Sequence, residues 1–258
     1  MSKVAVFAEG LTELIFVRSL LDLLFDASSI GYECISLMPR GLASGPRRHG
    51  TRGRDAFIQI IDVGGDGSLV GALKERASRL LEQGYVVLAL RDVYCEKYKS
   101  LAGTEYSQTA VDRIITSVRA ELESWASGPQ IVFRFAIMEI EAWFLGVPGI
   151  IGGETLLGDA DTVEEVLGVD LDAIDPQTQF GHPSREFGAI CRAVGLDYAK
   201  HRADIEAICS RLTSAAIYGL AAAGKCASFK DFLASLAGAI GAEYLYPGEQ
   251  TGLLGLSG

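Results

Sequence analysis

The sequence predicts an α/β fold, a parallel sheet with helices on both faces, followed by a helical annex. Two observations carry this expectation. Up to about residue 147, short apolar runs of strand length alternate with segments of helical periodicity, the pattern of repeated strand–helix–strand units. Beyond residue 147 the strand patterns stop while apolar residues at helical spacing continue. The domain boundary is therefore placed at 147, with residues 148–258 as an annex packing over the strand ends. A chain of 258 residues, 49% hydrophobic and 22% charged, buries roughly 70–75% of its unfolded surface and lacks the composition of a disordered one.

The elements follow in order. Residues 3–8, KVAVFA, form an apolar strand that runs into Glu9 and Gly10. Thr12 can cap a helix reaching about Phe25, whose apolar residues cover most of its circumference and predict burial. A strand near Tyr32–Met38 precedes a basic, glycine-rich loop over 39–54, and a β-branched strand follows at Phe57–Val63. A helix over Leu69–Gln83 stops at Gly84, as helices do at a C-terminal glycine. YVVLAL at 85–90 is a continuous apolar run, the mark of a strand buried on both faces, and it delivers Arg91 and Asp92. A helix over Thr109–Ala126 and a strand over 131–137 complete the sheet region. In the annex, helices are predicted near Thr162–Leu167, Pro183–Val194, Ala203–Thr213 and Phe229–Ile240.

Several function classes are excluded. The longest charge-free apolar run, Ala142–Gly153, has 12 residues and is broken by glycine and proline, too short to cross a bilayer. The N-terminus reads straight into a strand and then into acidic Glu9, unlike a secretory leader. Five widely spaced cysteines without a CxxC pair indicate neither a disulfide framework nor a zinc site, and a cytoplasmic location is expected. Gly64–Gly67 lacks the GK[ST] of a phosphate-binding P-loop, no GxSxG occurs, and the three histidines are far apart. The net charge of −10 argues against coating nucleic acid by bulk electrostatics. That charge is uneven: residues 39–54 hold five arginines and no acid, which leaves −15 on the rest.

Candidate chemistry lies at the strand ends, where ligands of open α/β sheets bind. Glu9, Asp92 and Glu139 each follow an inferred strand, and converging carboxylates are hard oxygen ligands for Mg2+ or Mn2+. Arg47 and Arg48 of the basic loop are candidate phosphate contacts. Ser184 and Arg185, behind Pro183 at the start of a helix, can also receive an anion. Trp143 and Phe144 read as core.

These residues resemble a known group. EGLTE (9–13) after a first strand and Asp92 after a later one look like the TOPRIM fold, a Rossmann-like fold of topoisomerases, primases and overcoming-lysogenization-defect nucleases. EGLTE, RDVYC (91–95), MEIEAWFLG (138–146), HPSREFGAI (182–190) and LDYAKHRADI (196–205) together resemble the TOPRIM-like domain-of-unknown-function family 4276. The resemblance implies that Glu9 matches the TOPRIM glutamate, which assists proton transfer, and that Asp92 matches the first metal-holding aspartate of DxD. Tyr94 stands at the second aspartate and Met138 where a histidine heads the family motif. The missing carboxylate is then supplied by Glu139, Glu141 or Glu96, of which Glu139 is nearest a strand end. Lys200, in the last motif, joins the expected substrate contacts.

The function expected from this reading is a Mg2+- or Mn2+-dependent nuclease or phosphodiesterase acting on nucleic acid or nucleotide, in bacterial defence against phage. The alternative is a catalytically decayed TOPRIM-like binding or regulatory subunit working with a partner ATPase.

Overall fold

A computed structural model of the chain describes residues 1–26, 28–37, 47–49, 55–65, 67–147 and 160–241, with side chains left out for 47–49, 160 and 161. Among these residues, six strands form one sheet: β1 (Ser2–Ala8), β2 (Ile30–Ser36), β3 (Arg47–His49), β4 (Ala56–Asp62), β5 (Tyr85–Asp92) and β6 (Ile131–Ala136). Their order is β3-β2-β4-β1-β5-β6. Every pairing is parallel except that of β3 with β2. The five parallel strands flanked by helices make an α/β fold of the Rossmann-like kind.

Strand alternation divides the core between two faces. Val4, Val6 and Ala8 of β1, with Leu88 and Leu90 of β5, pack beneath α1 (Leu11–Leu24). Ala5 and Phe7, with Val87 and Ala89, face α2 (Leu69–Glu82), α3 (Glu96–Ala102) and α4 (Gln108–Glu123). Both faces of β1 and β5 are dry, which explains their uninterrupted apolar runs. The chain leaves β1 through α1 toward β2, and leaves β4 through α2 toward β5 on the other side of β1. The end of β1 is thus the point where the winding reverses and a crevice opens.

The helices of the C-terminal region are α5 (Glu141–Gly146), α6 (Ala160–Leu167), α7 (Pro176–Gln179), α8 (Pro183–Ala193), α9 (Arg202–Cys209), α10 (Ser214–Ala222) and α11 (Ala227–Ile240). Phe229, Phe232, Leu233 and Leu236 of α11 share one hydrophobic cluster with α1 and the sheet. Trp143 is fully buried among Phe16, Phe229 and Phe232, and its indole N–H donates to Ser228 Oγ at 2.9 Å. Residues beyond 160 therefore cover a sheet face through α11, and they also reach the strand ends through residues 182–184 and 198–200.

The elements differ from expectation in instructive places. Residues 47–49 are not loop: they pair antiparallel with Tyr32–Cys34, which satisfies backbone groups that the edge of β2 would otherwise leave open. The rest of 39–54, the Arg47 and Arg48 side chains, the linker at 148–153 and the tail at 251–258 lie outside the described residues. Helix α1 begins at Leu11 with Gly10 as its N-cap rather than at Thr12, because the Glu13 carboxylate reaches back to accept the Gly10 N–H at 2.9 Å. The helix expected over 203–213 ends earlier, as α9 at Cys209, and the sequence reading missed α10, which starts at Ser214 where Thr213 caps it by accepting the Ala216 N–H. Helices α3, α5 and α7 are too short for periodicity to reveal. Each cysteine is a buried free thiol, as expected, and no helix among the described residues is long and apolar enough to cross a membrane.

Candidate metal centre at the strand ends

Asp92 is the last residue of β5. The β5–β6 pairing continues past both strands, with Val93 N–H donating to Ala136 O at 3.0 Å and Tyr94 N–H to Met138 O at 2.8 Å. Met138 has a φ of 62°, a left-handed backbone that strains an L-residue. The Tyr94 bond and the Ile140 N–H, which donates to Asp92 Oδ1 at 3.1 Å, lay this turn against the end of β5. Glu139 and Glu141 then arrive beside Asp92, and one oxygen from each of the three lies within 4.8 Å of the others.

Each carboxylate is positioned by a different part of the chain. Glu139 Oε2 accepts the Ser184 N–H at 2.9 Å and its Oε1 accepts the Ser184 hydroxyl at 2.8 Å, so this carboxylate caps the N-terminus of α8. His182 Nε2 lies 3.7 Å from Glu139 Oε2, and its ring stacks on Tyr94 at 4.5 Å between centroids. Glu141 is wholly buried. Its Oε1 accepts the Tyr198 hydroxyl at 2.7 Å and lies 2.9 Å from the Lys200 ammonium, which is also 3.3 Å from Glu139 Oε1. Glu141 Oε2 is buried and has no hydrogen-bond partner among the described residues.

The electrostatics are those of crowded acids. Burial, then the charges of Glu13, Glu9 and Glu141, push the Asp92 carboxyl well above the usual carboxylate range, with Lys200 opposing. Burial pushes Glu13 up to about 7, with Glu141 adding to the shift and backbone hydrogen bonds opposing it. Burial, then Glu141, pushes the Tyr198 phenol up, so it stays a donor. For Lys200, burial disfavours the charge, and Glu141, Glu139 and Asp92 outweigh it, so its pKa rises and the ammonium stays charged.

Of the three acids expected at the site, the structure brings Asp92 and Glu139 together and adds Glu141 in place of Glu9. The Glu9 carboxylate instead accepts the Asp92 backbone N–H at 3.0 Å and lies 3.7 Å from Arg91 Nε. Glu96 pairs with Lys99 on the surface and takes no part. Ser184 and the start of α8 do hold an anion, but that anion is the protein's own Glu139. Arg185 is exposed. Lys200, expected to contact substrate, is an ion-pair partner of Glu139 and Glu141. Sequence reasoning missed Tyr198 and Glu13, although both lie within quoted motifs, LDYAKHRADI and EGLTE.

The donors are all carboxylate oxygen, which fits a hard divalent cation rather than a soft one. The unpartnered Glu141 oxygen fits the same group, since a buried acceptor without a donor costs about 1–3 kcal/mol. No protein-family model, curated protein or solved structure matches the chain.

Proposed function

We propose that Asp92, Glu139 and Glu141 hold a divalent cation that serves phosphodiester hydrolysis on a nucleic acid or nucleotide. The observation that carries this reading is the buried Glu141 oxygen, unpartnered among the described residues, in a cluster of carboxylates at the ends of β5 and β6. A bound Mg2+ or Mn2+ would polarise the phosphoryl group and lower the pKa of an attacking water. The chain's own residues do the rest. Glu9 steadies the end of β5 through the Asp92 N–H, and its resemblance to the TOPRIM glutamate supports a role in proton transfer. Ser184 fixes both oxygens of Glu139. The exposed Arg185, next to Ser184, supplies a phosphate contact.

A second reading rests on Lys200, which already neutralises part of the cluster without metal. A site of that kind suits a non-catalytic regulatory subunit, working with an ATPase as the partner. Hydrolysis assays on single- and double-stranded DNA, RNA and an activated phosphodiester separate the two. Cleavage that needs Mn2+ or Mg2+ and is lost in Asp92→Asn is the expected result. Mn2+ binding without cleavage of any of these substrates would favour the regulatory subunit, and no Mn2+ binding would overturn the metal reading.

A further inference from the structure

Resting on the reading of this cluster as a cation site, we propose that Lys200 is a built-in counter-ion that competes with the divalent cation for Glu139 and Glu141 and swings out when the ion binds. Its ammonium lies 2.9 Å from Glu141 Oε1 and 3.3 Å from Glu139 Oε1. Two of the three clustered carboxylates are therefore engaged by one positive charge. A divalent ion ligated by the same two groups would stand within a few ångströms of that ammonium, and like charges at such range in a sheltered site repel strongly. Both cannot stay.

The placement of Lys200 is built into its loop. Its φ is 57°, a left-handed backbone that L-residues rarely adopt. The Asp204 carboxylate holds that turn by accepting the N–H groups on either side of it, Ala199 at 2.9 Å and His201 at 3.1 Å. The backbone is fixed while the side chain keeps an exit, being 40% exposed. The carboxylates do not depend on the ammonium for their positions. Ser184 holds Glu139 with two hydrogen bonds and Tyr198 holds Glu141 with one, so the cluster outlasts the departure of Lys200. Metal affinity is then set by an exchange, in which the ion gains two carboxylates and the ammonium returns to water at the mouth of the site.

The test is Mn2+ binding to the full chain, by calorimetry and by electron paramagnetic resonance, for wild type, Lys200→Met and Lys200→Arg. Lys200→Met keeps most of the stem and loses the charge, and should bind Mn2+ at least about tenfold more tightly, because the competitor is gone. Lys200→Arg keeps the charge and should stay within about threefold of wild type. Equal or weaker binding by folded Lys200→Met overturns the inference while leaving the metal reading intact. Binding by Lys200→Met but not by wild type upholds the inference and overturns metal-dependent hydrolysis. Binding by neither overturns both. A measurement on wild type alone covers a variant that fails to fold: acetylation of Lys200 by acetic anhydride, followed by mass spectrometry, should accelerate several-fold on adding Mg2+. An unchanged rate counts against the exchange.

Discussion

β4 and β5 both run parallel and apolar into an aspartate, yet Asp62 and Asp92 end in different chemistry. Asp62 is answered by its own surroundings: it accepts the Gly64 N–H at 2.9 Å and the Ser36 hydroxyl at 3.3 Å. Burial raises its pKa, and these hydrogen bonds, then the charge of Arg202, oppose the rise. Asp92 meets two more carboxylates, Glu139 and Glu141, and gives its backbone N–H to a further one, Glu9. An acid at a strand end is thus a turn element by default. It becomes part of a site where a neighbouring strand's turn and a distant helix deliver further charges to the same place.

Metal-induced stabilisation should separate the two ends most widely. At a hundredfold excess over its dissociation constant, Mn2+ should stabilise the wild type by about 2.7 kcal/mol, or roughly 5–10 °C in a chain of this size. Asp92→Asn should abolish that shift in a thermal melt, and Asp62→Asn should keep it. Loss in both variants would erase the distinction drawn here. Next in size is Gly181→Ala. A Cβ there would lie 2.0 Å from the Thr104 carbonyl oxygen, backbone against backbone, so the 181–184 segment has to shift. Destabilisation of about 1–3 kcal/mol by urea unfolding is expected, with weaker Mn2+ binding because Ser184 moves off Glu139.

The same substitution at each end gives a finer contrast. Ser184→Ala removes a 2.8 Å hydroxyl bond to Glu139 and leaves the backbone N–H in place, for an expected loss of about 1 kcal/mol. Ser36→Ala removes a longer bond to Asp62 and should cost about half as much, with Mn2+ binding unaffected. Opposite in sign is Gly71→Ala in α2, the helix that follows β4 in the chain, where no described atom lies within 4 Å of an added Cβ. It should stabilise the protein by up to about 0.5–1 kcal/mol and leave the β5 end unchanged. A fall in stability there would show a contact to α2 that its open surroundings do not account for.

Most of the sheet was legible because its strands are buried on both faces, so β1 and β5 appear as continuous apolar runs. Asp92 was legible for the same reason, as the first acid after such a run, and Glu139 as the first acid after the edge strand β6. Glu141 was one of three alternatives, because a spacing of two residues after a strand does not reveal that a left-handed Met138 turns the chain back toward β5. Lys200 was visible as a cation in the middle of a motif but not as the partner of Glu139, 61 positions earlier in the chain. Ser184 lies 45 residues from the same carboxylate. Local patterns carry periodicity and caps, whereas an ion pair closed by tertiary packing leaves no trace in spacing.

The cap that Glu139 places on α8 makes this carboxylate a joint between the two halves of the chain. Residues 1–147 alone would keep Asp92, Glu139 and Glu141 but lose Ser184, Tyr198 and Lys200, which orient and neutralise them. They would also bare the sheet face that α11 covers. The C-terminal region is therefore no accessory to a finished sheet. A chain shortened after residue 147 would hold a centre whose acids had lost both their scaffold and their counterweight.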